Sequence, residues 1–231
     1  VAEHFCVVKT SEDVREAIEF AKSHKLPISI LGGGSNVVLT GDLPGLCMQI
    51  GFRHRKSHGE LLSLGAGENW HESVLHSINE GLSGLENLAL IPGLVGAAPI
   101  QNIGAYGVDF SERLLEVQAI DLNTGFDANL SAEDCQFGYR DSVFKRNSDQ
   151  QWLITAIKLK LDHTFAPRLE YAGILSELGE SDITAKSVFD AVCRLRLSKL
   201  PDPNEFGNAG SFFKNPVVSD KRFSELQKES K

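Results

Sequence analysis

Two stretches of this 231-residue chain carry glycine in a setting that suits a large ligand. The first is Gly32-Gly33-Gly34-Ser35-Asn36, which lies between two short apolar runs. Glycines permit φ > 0 and let consecutive N–H groups converge on an anion, which suits a pyrophosphate. The pattern is neither a Walker P-loop nor a GxGxxG, because Val37 stands where a third glycine belongs and no helix follows. On spacing alone it fits a tight turn as well as a phosphate cradle. The second stretch runs from Ile91-Pro92-Gly93 through Gly96-Ala97-Ala98 to Gly104-Ala105-Tyr106-Gly107. Its small residues would let main chain lie flat against a ring system, and close packing between loops is the alternative. Two separate cradles are what a long dinucleotide needs.

Single polar residues are weaker signals. Arg140 next to Asp141 reads locally as a surface ion pair, and otherwise as a fork for a carboxylate. Ser211 sits in a Gly-Asn-Ala-Gly-Ser loop, where a turn hydroxyl is the ordinary reading. A free serine is a poor acid and needs help from a neighbour such as Lys199 or an ordered water. No histidine lies close to it in sequence, so a Ser-His-Asp hydrolase has no support. Arg53-His54-Arg55-Lys56 reads as a solvated loop. His54 and His58 could share a helix face, but no third ligand accompanies them, so no metal is expected.

These residues must be positioned by a mixed set of elements. Thr10 and Asp13 form a capping box before Val14, Ala17, Ile18 and Ala21, whose spacing predicts an amphipathic helix. Leu26–Leu31, Val37–Leu39 and Leu46–Ile50 read as strands around the first glycine block. Leu61–Leu64 and a helix from Trp70 to Glu80 follow. The long segment 82–108 has few charges and predicts a buried loop. Leu115–Asp121, a turn at Asn123-Thr124-Gly125, and Trp152–Leu161 read as further strands. Val188, Ala191, Val192 and Leu195 mark a last helix face, ended by Pro201-Asp202-Pro203. Helices and hairpins mixed in this way predict an α+β fold. Hydrophobic residues at 42% and charged residues at 23% are ordinary for a globular protein. The net charge of -8 and the lack of a basic cluster argue against a nucleic-acid surface. No apolar run approaches the roughly 18 residues that span a bilayer. Cys6, Cys47, Cys135 and Cys193 form no CxxC pair and read as reduced structural thiols of a cytosolic protein.

Several strings together resemble the family of UDP-N-acetylenolpyruvoylglucosamine reductases. They are Leu31-Gly32-Gly33-Gly34-Ser35-Asn36, Gly65-Ala66-Gly67-Glu68-Asn69-Trp70, the segments 84–93 and 99–107, Phe137-Gly138-Tyr139-Arg140-Asp141-Ser142, Lys199-Leu200-Pro201-Asp202-Pro203 and the segment 207–216. They cover nearly the whole chain in order, and the Tyr171 loop is of the kind that marks the family's first type. The resemblance implies an FAD-binding fold of the vanillyl-alcohol-oxidase kind. Its expected parts are a first FAD-binding subdomain at 1–52, a second at 53–200, and the start of a substrate-binding domain at 201–231.

The resemblance also implies chemistry. FAD, bound non-covalently, would rest on Gly32, Gly33, Gly34, Ser35, Asn36, Pro92, Gly93, Gly96, Ala97, Ala98, Gly104 and Tyr106, with Arg196 a possible phosphate partner. Ala97 and Ala98 stand where relatives carry hydroxyls, which leaves only their backbone donors. NADPH would be the hydride source and UDP-N-acetylglucosamine enolpyruvate the substrate. Arg140 would stabilise the enolate and Ser211 would deliver the proton. Tyr139, Tyr171, Lys199 and Asn215 would bind substrate or NADPH. The chain begins with Val and ends inside the helix-like run Ser219–Lys231, both of which read as the ends of a fragment. A family glutamate would then lie beyond Lys231 and an N-terminal strand before Val1. A non-catalytic FAD- or nucleotide-binding segment is the alternative.

Overall fold

The computed structural model describes residues 1–146, 151–201 and 205–229. Asp202 and Pro203 of the expected helix stop lie outside the described residues. The chain opens with β1 (Ala2–Val8), α1 (Ser11–His24), β2 (Ile28–Leu31) and β3 (Leu43–Ile50). There follow β4 (Arg55–His58), β5 (Leu61–Gly65), α2 (Trp70–Asn79), the short pair β6 (Gly104–Ala105) and β7 (Val108–Asp109), β8 (Leu114–Asp121) and β9 (Asp127–Ser131). The last elements are α3 (Val143–Arg146), β10 (Trp152–Lys160), α4 (Ile174–Leu178), α5 (Ala185–Lys199) and α6 (Asp220–Glu229).

Residues 2–50 form a parallel three-stranded sheet in the order β1-β3-β2, and α1 is the crossover that parallel pairing requires. The capping box at α1 is present: Thr10 Oγ1 accepts from the Asp13 amide, and the Asp13 carboxylate accepts from Thr10 N. Val14, Ile18 and Ala21 are buried beneath the helix, as their spacing predicts. Residues 55–160 supply an antiparallel five-stranded sheet in the order β4-β5-β10-β8-β9. β10 is its centre and contributes Leu153, Ile154, Ile157 and Leu159 to one continuous core. The tip of the β8–β9 hairpin meets α1: Lys22 Nζ donates to Asn123 O, and Arg15 donates to Gly125 O and to Asp127.

Three sequence expectations change. Val37–Leu39 joins no ladder and is exposed, because the chain leaves the sheet after β2 and returns only at Leu43. Arg53–Lys56 is not a solvated loop. Lys56 and Arg55 lie in β4, and Arg55 donates to Glu68 at 2.8 Å and Glu72 at 2.6 Å. His54 precedes that strand and His58 ends it, so they share no helix face, and His54 bonds Ser63.

The segment 82–108 is for the most part buried or half-buried, as its few charges predict, and it folds around fixed points. Two of its 3-10 turns are Glu86–Leu88 and Val95–Ala97. Trp70, fully buried at the start of α2, donates from its indole Nε1 to Leu88 O at 2.9 Å. Trp70→Phe keeps most of the ring but leaves that buried carbonyl unpaired, which costs about 1–3 kcal/mol. Urea unfolding should record a lower midpoint with an unchanged slope; an unmoved midpoint would mean the bond contributes nothing.

Candidate functional site

The first glycine block follows directly from the end of β2, a strand paired in parallel with β3. Among the described residues, the backbone amides of Gly32 through Asn36 meet no acceptor. Open, consecutive amides in a glycine loop are the donors an anion needs. A cavity of about 590 Å³ opens beside them at the ends of β1, β2 and β3, lined by Lys9, Gly33, Gln49, Gly51, Arg53 and Leu94 among others. Lys9 and Arg53 give it positive character. Lys9 does not stand out in the sequence and Arg53 reads only as part of a charged run, because each follows a different strand and only parallel pairing brings them together.

The second block lies against the first. A Cβ on Gly33 would stand 3.4 Å from Gly93 Cα, and a Cβ on Gly93, at φ +112°, would stand 2.8 Å from Ser35 Oγ. The segment 65–70 anchors this block: Gly96 N donates to Ala66 O, Val95 N to Glu68 O, and Trp70 N to Gly93 O. The expected backbone donors at Ala97 and Ala98 are not open. Ala97 N is bonded to Leu94 O and Ala98 N to Val95 O, because Val95–Ala97 closes as a 3-10 turn. Ala98 is buried in the core, while Ala97 is exposed and lies close to Gly32. Pro92 is exposed at the entry to this loop.

Tyr106 and Tyr171 meet edge to face at 4.9 Å between centroids. Arg196, on the inner side of α5, donates Nε to Leu90 O at 3.1 Å. Burial pulls its guanidinium below the ordinary arginine value, and electrostatic interaction with Tyr106 and Cys193 opposes this. Burial likewise pushes the Tyr106 hydroxyl up. A half-buried cation beside the second block is a natural partner for an anionic ligand.

Arg140 is not paired with Asp141. Its Nη1 donates to Asn102 O and Asp109 Oδ1, each at 3.0 Å, and its Nη2 to Gly104 O at 2.5 Å. Asp141 instead pairs with Arg146. Arg140 holds a left-handed backbone at φ +52°, and its guanidinium carbon lies 5.0 Å from the Tyr139 ring centre. Gly104 makes this seat possible, since a Cβ there would fall 1.9 Å from Asp109 Oδ1 and 2.5 Å from Arg140 Nη1. Asp109 is itself braced by a capping box with Glu112. Asn102 is buried and orders the surrounding loops, donating to Gly138 O and accepting from Ser111 N. Sequence reasoning missed Asp109, although the Asp109-to-Glu112 spacing is itself a capping signal.

The far end of the chain comes back to these loops. Asn215 Nδ2 donates to the Tyr139 hydroxyl at 3.3 Å, and Lys214 Nζ stands 5.5 Å from that ring. Asn36 Nδ2 donates to Ala209 O at 2.5 Å and Ser211 O at 3.3 Å, while its Oδ1 accepts from Gln101. Tertiary structure therefore gathers Gly32–Asn36, Gly93, Tyr139, Arg140, Ser211 and Asn215 through linked contacts. Lys199 is exposed at the end of α5, and no hydrogen bond joins it to Ser211 among the described residues. The expectation that Lys199 assists Ser211 is not met by this geometry.

Comparison with known proteins agrees with this architecture. The family described as FAD binding domain matches residues 2–126. A VAO-type flavoprotein from Myceliophthora thermophila C1 shares the fold at TM-score 0.51 and 19% identity, over 67% of this chain and 31% of its own. The chain is therefore a flavoprotein with the α+β FAD-binding fold of the vanillyl-alcohol-oxidase kind. UDP-N-acetylenolpyruvoylglucosamine reductase of Paraburkholderia phytofirmans is 47% identical over 98% of this chain and 68% of its own length. The structure of the corresponding reductase from Thermus caldophilus superposes with TM-score 0.68 at 25% identity, over 97% of this chain and 73% of its own. The chain belongs to the UDP-N-acetylenolpyruvoylglucosamine reductase family, and it spans about two thirds of the length of its curated relatives.

FAD fits the residues present. The close approach of Gly93 to Ser35 is a cradle that a Cβ on Gly93 would crowd, and among the described residues the neighbouring amides face no protein acceptor. Gly93→Ala forces a left-handed alanine against Ser35, a strain of about 1–3 kcal/mol. Thermal melts should show a lower Tm for Gly93→Ala and a smaller rise on adding FAD than for the unmodified chain. An equal rise in both proteins would remove Gly93 from the FAD cradle.

Proposed function

We propose that this chain holds FAD and the enolpyruvyl end of UDP-N-acetylglucosamine enolpyruvate for reduction to UDP-N-acetylmuramate, with NADPH as the hydride source. The observation that carries this reading is that an open anion loop packs against a second glycine loop and is linked through Gln101 and Asn102 to a braced arginine, in a reductase-family fold. When bound, FAD supplies the two-electron chemistry between NADPH and the substrate double bond.

The protein's own residues place groups and balance charge. Gly32–Asn36 would bind the pyrophosphate through their amides, with Lys9 and Arg53 lending positive potential. Gly93, Gly96 and Ala97 present little side chain and would let a ring lie close, with Tyr106 and Arg196 at its edge. Arg140 has donors beyond those used by Asn102, Asp109 and Gly104. Those donors would meet the substrate carboxylate and stabilise the negative charge that builds as hydride arrives at the methylene carbon. The Ser211 Oγ proton would go to the other carbon of the former double bond. Tyr139, Tyr171, Lys199 and Asn215 would hold the nucleotide-sugar diphosphate or NADPH. Residues 1–52 and 53–200 would form the two FAD-binding subdomains, with 201–231 opening the substrate domain. Four free cysteines support action in a reducing, cytosolic compartment.

The purified chain should show a flavin spectrum or a Tm that rises with FAD. Absence of both would end the cofactor assignment. In the full-length protein, Arg140→Lys keeps charge but loses the fork, so reoxidation of reduced flavin by substrate should slow while reduction by NADPH stays normal. Equal slowing of both halves would place Arg140 elsewhere. Ser211→Ala should lower overall turnover by about 10²–10⁴-fold, the usual contribution of a general acid. Rapid-mixing absorbance separates the steps, and near-normal turnover would leave Ser211 a turn hydroxyl.

A further inference from the structure

Ser211 lies on a segment with few ties to the body of the protein. Among the described residues, Asn208 Nδ2 donates to the Pro201 and Phe206 carbonyls, and its Oδ1 accepts from Gly210 N, all within the segment itself. Among the described residues, every hydrogen bond from 206–213 to a residue before 201 comes from one side chain, that of Asn36. The next anchor along the chain is Asn215 on Tyr139. Asn36 is also the last residue of the loop whose amides meet no acceptor, and Gln101 holds its Oδ1. One residue therefore joins the anion loop, the second glycine block and the backbone that carries Ser211.

We infer that Asn36 is a positioning residue: occupancy of the Gly32–Asn36 loop by FAD orders the Ser211 backbone through the Asn36 amide. This rests on the reading that the loop holds FAD. An anion bound by the loop amides restricts the Asn36 backbone, so less freedom is lost when its side chain bridges Ala209 and Ser211. The coupling is reciprocal, so an ordered Ser211 segment also strengthens FAD binding. Asparagine suits the role because its Nδ2 donates to two carbonyls while its Oδ1 accepts from Gln101.

Hydrogen exchange on the purified chain, with and without saturating FAD, tests this. FAD should slow exchange of the 208–213 amides about tenfold, within the range of ordinary site coupling. Asn36→Ala should still take up FAD, at higher concentration, yet lose that protection, with exchange in the central strand β10 unchanged. Gln101→Met, which removes the partner of Asn36 Oδ1 and leaves the loop intact, should lose part of it. FAD binding without any protection of 208–213 in the unmodified chain overturns the inference alone. So does full protection in Asn36→Ala, or in Gln101→Met where Asn36→Ala does not fold. A chain that takes up no FAD overturns the functional reading and this inference with it.

Discussion

The two glycine loops are held in direct contact: a Cβ on Gly33 would touch Gly93 Cα at 3.4 Å, and one on Gly93, whose φ of +112° favours glycine, would crowd Ser35 Oγ at 2.8 Å. The constraint is steric, and it recruits structure on both sides. Gly33 is delivered by the end of β2, which takes its place only because β3 pairs with it in parallel. Gly93 is held by its carbonyl, bonded to Trp70 N, and by the neighbouring bonds from Val95 and Gly96 to the 66–68 segment. That segment is fixed in turn by the Arg55–Glu68 pair, in which the carboxylate is nearly buried. Removing one partner of such a pair is destabilising, because a buried charge is left uncompensated. The ion pair thus transmits rigidity from β4 to a loop more than thirty residues away in sequence. It does so without touching the site.

A second constraint is electrostatic. Arg140 is surrounded by two carbonyl oxygens and the Asp109 carboxylate, so its positive charge is seated before any ligand arrives. Its left-handed backbone is a local strain that the surrounding bonds must hold. Preorganisation of this kind lets a cation act on developing charge without rearranging first. Arg196 presents the complementary case. Burial disfavours its charge, and among the described residues its one hydrogen-bond acceptor, Leu90 O, leaves capacity for an anion. The two arginines enter from different elements, one from the segment after β9 and one from α5.

Local chemistry was legible where it is set by neighbours in sequence. The capping box at Thr10 and Asp13 forms because the two residues are three apart, and the same rule gives α5 its Thr184 cap. The turn at Asn123–Gly125 and the central strand from Trp152 follow from turn chemistry and alternation. Val37–Leu39 shows where that logic stops. Its β-branched residues favour a strand, but strand pairing needs a partner edge, and the chain there swings out beside the cavity. Arg53–Lys56 failed for the opposite reason. A run of charges looks solvated until a carboxylate from a distant turn, Glu68, is placed against it.

By itself the sequence determined the glycine blocks, the α+β alternation and, through long matching strings, the reductase family. These are properties of residue type and local order, and chain neighbours suffice to express them. Only the tertiary structure decided which donors stay open. The amides of Gly32–Asn36 meet no described acceptor, whereas those of Ala97 and Ala98 are consumed by their own turn. Only the tertiary structure exchanged Asp141 for Asp109 as the partner of Arg140, and it alone set Asn36 against Ser211 across 175 residues. The reason is geometric. A hydrogen bond or ion pair is decided by position within about 3 Å, and separation along the chain carries no information about distance in space until the sheets have closed.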